Sequence, residues 1–298
     1  MSDHIKAVII VVLSGLIWSF GAPVVKHMID PQIYQLPYLI IRGITVAMII
    51  ATYLIINEQK EFFRNVVRID KVSIIGGLSL TTAMVGFIYS ISNTTAAVTL
   101  FMLALMPFLA SLIALVFINE KISKQNFISM TIAFIGAVIM IYASAFNGSL
   151  FGLIMGFISS FGFAAFTVTL RSKNNFKKFY ILIYAGIFCA IISFFLMIFN
   201  NQEIYLPSRN IFLSITHGFF VASGLILYSI GSKKLLSGEL TMLSLLEVVG
   251  GIFWTWLPIL GINEIPDINT IVGGIVICFA IGINSYRFDK KRLQNLIR

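Results

Sequence analysis

Charge is what this chain is short of. Only 11% of its 298 residues are Asp, Glu, Lys or Arg, against roughly a quarter in a soluble domain. A water-exposed surface cannot be built from that supply, so most of the solvent must be lipid. Cysteine is also scarce. Cys189 and Cys278 both sit inside apolar runs, which excludes a disulfide framework, and their spacing suits no metal site. Both read as small lipid- or core-facing hydrophobes. His4 and His27 are terminal or loop residues, so with His217 they form no cluster for metal binding or acyl transfer. No phosphate-cradling glycine-lysine loop is present, which leaves direct coupling to ATP unsupported. The alternating ten-residue segments of a membrane barrel are missing as well.

What the chain does have is apolar sequence, 58% of it hydrophobic, at a mean hydropathy of +0.96. A helix needs about 20 apolar residues to cross the hydrocarbon. Ten runs meet or nearly meet that length, at 5–26, 37–56, 72–92, 95–118, 126–143, 151–170, 178–199, 211–232, 240–261 and 268–286. The first is too long for the core of a signal peptide and lacks a small-residue cleavage site, so it is expected to stay as the first span. Connections are short and leave no room for a soluble domain.

The net charge of +9 does not point to nucleic acid, because the basic residues fall in short loops between apolar runs. With the N-terminus inside, eighteen Lys and Arg fall on the inner side. Three fall on the outer: Lys26, Arg209 and Arg42, the last at the start of the second span. That bias predicts both termini in the cytoplasm.

The halves echo each other. Gly15-Leu-Ile-Trp-Ser-Phe-Gly21 returns as Gly156-Phe-Ile-Ser-Ser-Phe-Gly162. Tyr89-Ser-Ile-Ser92 returns as Tyr228-Ser-Ile-Gly231, and Ile118-Asn-Glu120 as Ile262-Asn-Glu264. The offsets are 141, 139 and 144 residues, so the second half reads as a copy of the first. Five spans per copy is an odd number, which predicts that the second copy enters the membrane upside down. The expected fold is therefore an all-α integral membrane protein of ten transmembrane helices, arranged as two inverted-topology five-helix repeats over 1–145 and 146–298. Glu120 is expected at the inner face and Glu264 at the outer.

These residues resemble the drug/metabolite transporter superfamily, specifically its ten-span type with two EamA repeats. Trp18 with Gly21, Arg42, and Pro107 with Asn119-Glu120 carry the likeness in the first copy. Leu246-Glu247, Trp254, Trp256 and Asn263-Glu264 carry it in the second. The family's second copy usually reads Glu-Pro, whereas Val248 follows Glu247 here, and extra residues including Pro258 separate Trp254 from Glu264. The resemblance implies a basket of helices around a central cavity lined by spans 1, 3, 4, 6, 8 and 9, with spans 5 and 10 at the periphery.

Glu247 is the most informative residue, about seven residues or roughly 10 Å into its span. A carboxylate there is costly and must face a cavity, a partner or a proton. It reads either as a substrate contact and coupling site or as a buried interhelical hydrogen bond. His217, in span 8, reads as a satisfied interhelical bond or a substrate contact. Arg42 is expected to snorkel to water as an anchor, with a grip on an anionic substrate as its alternative. Glu120 and Glu264 are expected to bond backbone or Lys at helix ends. Trp18, Tyr89, Tyr228 and Trp254 are candidate substrate-stacking rings. Tyr89 and Tyr228, as repeat mates, are expected to face each other. Pro23 and Pro107 interrupt their helices and permit bending.

The reading is a secondary transporter for a small polar or amphipathic metabolite, an amino acid or related compound, with export favoured, in the inner (plasma) membrane. An importer of nutrients or S-adenosylmethionine on the same fold is its alternative. A membrane-embedded lipid or acyl transferase is a remote one, for want of a catalytic cluster. The expected partners are the bilayer and a small-molecule substrate, with no nucleic acid, cofactor or metal. Proton coupling, facilitated diffusion and oligomeric state, a homodimer among the options, stay open.

Overall fold

The computed structural model describes residues 3–68, 70–141, 149–172 and 177–296, and the regular elements among them are helices. In chain order they are α1 Asp3–Trp18, α2 Gly21–Lys26, α3 Gln35–Glu58, α4 Lys60–Val66, α5 Lys71–Asn93, α6 Ala96–Leu103 and α7 Met106–Phe117. There follow α8 Lys124–Ile141, α9 Leu150–Ser172, α10 Lys177–Phe199, α11 Ser208–Gly231, α12 Ser237–Ser244, α13 Leu246–Trp256 and α14 Ile268–Leu296. A 3-10 turn at Pro258–Leu260 follows α13.

Helices are what apolar runs must form in lipid, where each backbone N–H and C=O needs a partner within its own segment. Large apolar side chains lie outside as well as inside. On α9 the small residues Gly152, Gly156, Ser159 and Ser160 are buried, while Ile154, Phe157 and Phe161 face outward. Small faces let backbones approach, and large apolar side chains meet the lipid.

Seven helical stretches among the described residues are long and apolar enough to cross a membrane: Asp3–Lys26, Gln35–Glu58, Lys71–Asn93, Ala96–Phe117, Leu150–Ser172, Lys178–Phe199 and Ser208–Gly231. The sequence predicts ten. Among the described residues α8 and α14 contribute shorter apolar stretches, Lys124–Ile139 and Ile268–Asn284. The remaining run forms α12 and α13, which meet at Leu245.

Three runs are broken inside the bundle. α1 ends at Trp18, and Pro23 lies five residues on; α6 ends at Leu103, and Pro107 lies four residues on. Proline has no N–H to give to the carbonyl four residues back, here Ser19 and Leu103, and each helix stops there. The third break has no proline. Leu245 N–H bonds Met242 O at 3.3 Å and Val248 N–H bonds Leu245 O at 3.0 Å, a tightened 3-10 step between α12 and α13.

Packing runs in pairs. α5 lies along α9 and α1 along α11; α3 packs on α10, and α8 mainly on α14. At the centre of the α3–α10 pair, Gly43 meets Gly186. A Cβ on either would stand 2.6 Å from the other's carbonyl oxygen, so no side chain fits at this crossing.

Candidate functional site

The helix breaks surround a cavity of about 80 Å³, the space of a few waters at roughly 30 Å³ each. Trp18 enters from the end of α1 and Arg42 from α3. Met84 and Phe87 come from α5, Leu103 and Met106 from either side of the α6–α7 break, and Ser159 and Phe163 from α9. His217 and Leu225 come from α11 and Glu247 from the start of α13. The wall is mostly apolar with a few polar groups, the usual make-up of a small-molecule site.

Trp18 is fixed by its neighbours. Its indole N–H donates to Val221 O at 3.2 Å. Its ring meets Phe163 edge-on at 5.4 Å and Tyr228 at 5.3 Å. Tyr228 stands behind this wall, fully buried, its hydroxyl 2.8 Å from Thr167 Oγ1.

His217 is clamped by Tyr38, whose hydroxyl lies 2.9 Å from Nδ1. The other face of the ring is against Gly21: a Cβ there would sit 3.0 Å from Nε2. Arg42 is the largest departure from the sequence reading. It is 1% exposed, its Nη2 donates to Met84 O at 2.8 Å, and it lines the cavity. The snorkelling anchor is therefore corrected. α3 begins at Gln35, so Arg42 is seven residues, about 10 Å, inside the helix. Glu247 is half-buried at the cavity, ten residues or about 15 Å of helical rise beyond Ser237. Among the described residues no hydrogen bond or ion pair reaches its carboxylate.

Of the residues singled out in the sequence, Trp18, His217 and Glu247 thus share one cavity. Tyr89, Tyr228 and Trp254 do not line it. Tyr89 packs on Phe151 at 6.0 Å, and among the described residues it makes no ring contact with Tyr228. Each tyrosine sits within about one turn of its helix's C-terminal end. Trp254 stacks on Phe20 at 4.6 Å and donates to Ser19 Oγ at 2.8 Å, closing over the α1–α2 break. Pro23 and Pro107 follow the breaks in α1–α2 and α6–α7.

Glu120 and Glu264 do hold helix ends together. Arg171, at the end of α9, bonds Glu120 Oε1 through Nε. Lys26, at the end of α2, lies 2.9 Å from Glu264 Oε1. Asn119 and Asn263, one residue earlier in each case, are both left-handed, at φ 56° and 53°.

Two buried charged groups escaped the sequence reading. Glu239 in α12 is 1% exposed and 2.8 Å from His4 Nε2, so His4 is a buried partner rather than a loose terminal residue. Lys178, at the start of α10, bonds Ser232 Oγ at 2.7 Å and Ser229 O. Both lie at run ends, where sequence alone suggests solvent. The one signal was Glu239 itself, an acid beside the apolar run starting at 240. Cys189 is buried and Cys278 exposed.

No curated protein matches the chain. Among solved structures 28 chains match. One, known only as "Crystal structure of protein", shares 15% identity and a TM-score of 0.71 over 93% of this chain and 96% of its own, a likeness of fold. Residues 5–142 match the EamA-like transporter family. The match over these residues shows the resemblance of this multi-pass membrane protein to the EamA-like drug/metabolite transporters.

Proposed function

We propose that the chain is a secondary transporter that moves a small polar or amphipathic metabolite, an amino acid or related compound, outward across the inner membrane. It works by alternating access between two inverted five-helix repeats, with both termini cytoplasmic. On this reading α6–α7 and α12–α13 are spans four and nine, each broken at mid-depth, and α8 and α14 are the peripheral spans five and ten.

One observation carries the reading: the two ion pairs cross. Glu120, at the end of span four, is held by Arg171 at the end of span six. Its repeat mate Glu264, near the end of span nine, is held by Lys26 at the end of span one. Each half thus supplies the acid to one corner and the base to the other, as a two-fold axis between the halves demands. The packing agrees. The α5–α9 and α1–α11 contacts are exchanged by such an axis, while α3–α10 and α8–α14 lie upon it. Glu247, unpaired at the cavity beside the third break, is the coupling group of this proposal.

The test has two arms. In a Cys278→Ser background, cysteines replacing the exposed Lys121 and Ile265 are expected to react with an impermeant maleimide from opposite sides of a vesicle. Labelling from the same side sinks the inverted repeat. In proteoliposomes, amino-acid flux is expected to depend on pH in the wild type and to lose that dependence in Glu247→Gln. A retained dependence removes Glu247 as the coupling group.

A further inference from the structure

Arg42 and His217 both line the cavity, and both are short of acceptors. Arg42 gives one bond to Met84 O at 2.8 Å, and its Nε has no partner. Among the described residues no Asp or Glu forms an ion pair with it. In a lipid solvent an uncompensated guanidinium marks a functional contact rather than packing. The second group is His217, which is 2% exposed. The Tyr38 hydroxyl is 2.9 Å from its Nδ1 and 3.5 Å from Leu213 O. We assign the hydroxyl proton to the shorter contact, so that Nδ1 accepts and the imidazole proton sits on Nε2. Nε2 lies against Gly21, where only the missing Cβ gives it room. No protein group among the described residues accepts its proton.

We infer that this end of the cavity binds the carboxylate of the substrate, between the Arg42 guanidinium and the His217 N–H. This deepens the transport reading and rests on it for the cavity's role. A guanidinium presents a fork of donors matched to a planar carboxylate, and one cation with one neutral donor suits a single negative charge. Among the described residues Glu247 is the one acid lining the cavity, and it makes no ion pair with Arg42, which leaves the anion to the ligand. Beside the two donors the wall is Trp18, Phe87 and Phe163, which fits an apolar or aromatic body behind the carboxylate. At about 80 Å³ the cavity is smaller than such a molecule, so binding it requires the walls to part.

Matched probes test this on the purified full-length protein in detergent: 3-phenylpropionate, its amide, and phenethylamine, with binding followed by calorimetry. The carboxylate is expected to bind about tenfold or more tighter than the amide, the scale of a charge-assisted hydrogen bond. Arg42→Gln is expected to erase that preference, and Arg42→Lys to keep part of it. His217→Phe should weaken the carboxylate several-fold and leave the amide unchanged. Equal affinities, no binding by the carboxylate, or a preference for the amine in the wild type overturns the inference. That comparison decides even where Arg42→Gln does not fold; a preference that survives in a folded Arg42→Gln overturns it too. Binding needs no gradient, so the two readings fail separately. A bound carboxylate without flux sinks transport alone, and flux of a substrate indifferent to Arg42 sinks this inference alone.

Discussion

The corners at Ile118-Asn-Glu120 and Ile262-Asn-Glu264 share a sequence and a backbone, yet they are fastened differently. At the first, Glu120 takes Arg171 on Oε1 and the Ser237 N–H on Oε2 at 2.9 Å. Arg171 in turn donates to Ser232 O at 2.8 Å and to Leu235 O. Both side chains are under a fifth exposed. At the second, Lys26 is the partner of a Glu264 side chain that is 41% exposed. His27 beside it bonds Pro23 O and Leu260 O. Five residues, 257–261, separate α13 from this corner, whereas Ile118 directly follows α7. A short connection lets one corner be stitched through an arginine fork; the inserted turn pushes the other toward water. The lesson is that a duplicated motif keeps its backbone while its strength is set by burial and by the choice of base.

The comparison breaks most sharply at the buried corner. Glu120→Ala leaves a guanidinium without its counter-charge and is expected to cost about 3–5 kcal/mol, read as unfolding in a denaturing-detergent titration. Arg171→Lys keeps the charge but loses the fork and a carbonyl bond. About 1–2 kcal/mol is expected by the same titration. Glu264→Ala exposes the contrast from the other side: solvent screening holds its cost within about 1 kcal/mol, and added salt should shrink it further. A loss equal to that of Glu120→Ala would falsify the ranking. The smallest effects belong to Asn119→Gly and Asn263→Gly. Glycine adopts the left-handed backbone freely, so both should stay within about 0.5 kcal/mol and match each other.

The sequence made the apolar runs and the proline-linked breaks legible, because composition and Pro23 or Pro107 act locally. The break at Leu245 was not legible, since Val248 stands where a proline would have announced it. Arg42 was misplaced by a run boundary. Counting apolar residues starts span two at 37, but the helix begins at Gln35, and the side chain lies inside the bundle. Tyr89 and Tyr228 were expected to face each other, yet Tyr89 packs on Phe151 and Tyr228 on Trp18 and Phe163. Glu247 and His217 were found because ionisable groups within long apolar runs have few explanations, whereas Glu239 sat at a run's edge and passed for solvent-facing.

Gly43 against Gly186 has a mechanical consequence. Elsewhere, interlocking side chains must unmesh before one helix can tilt on another. Here two bare backbones touch, and rocking them needs no rotamer to turn over. On the transport reading proposed above, this bare crossing of α3 and α10 is the place where the two helices tilt on each other at least cost.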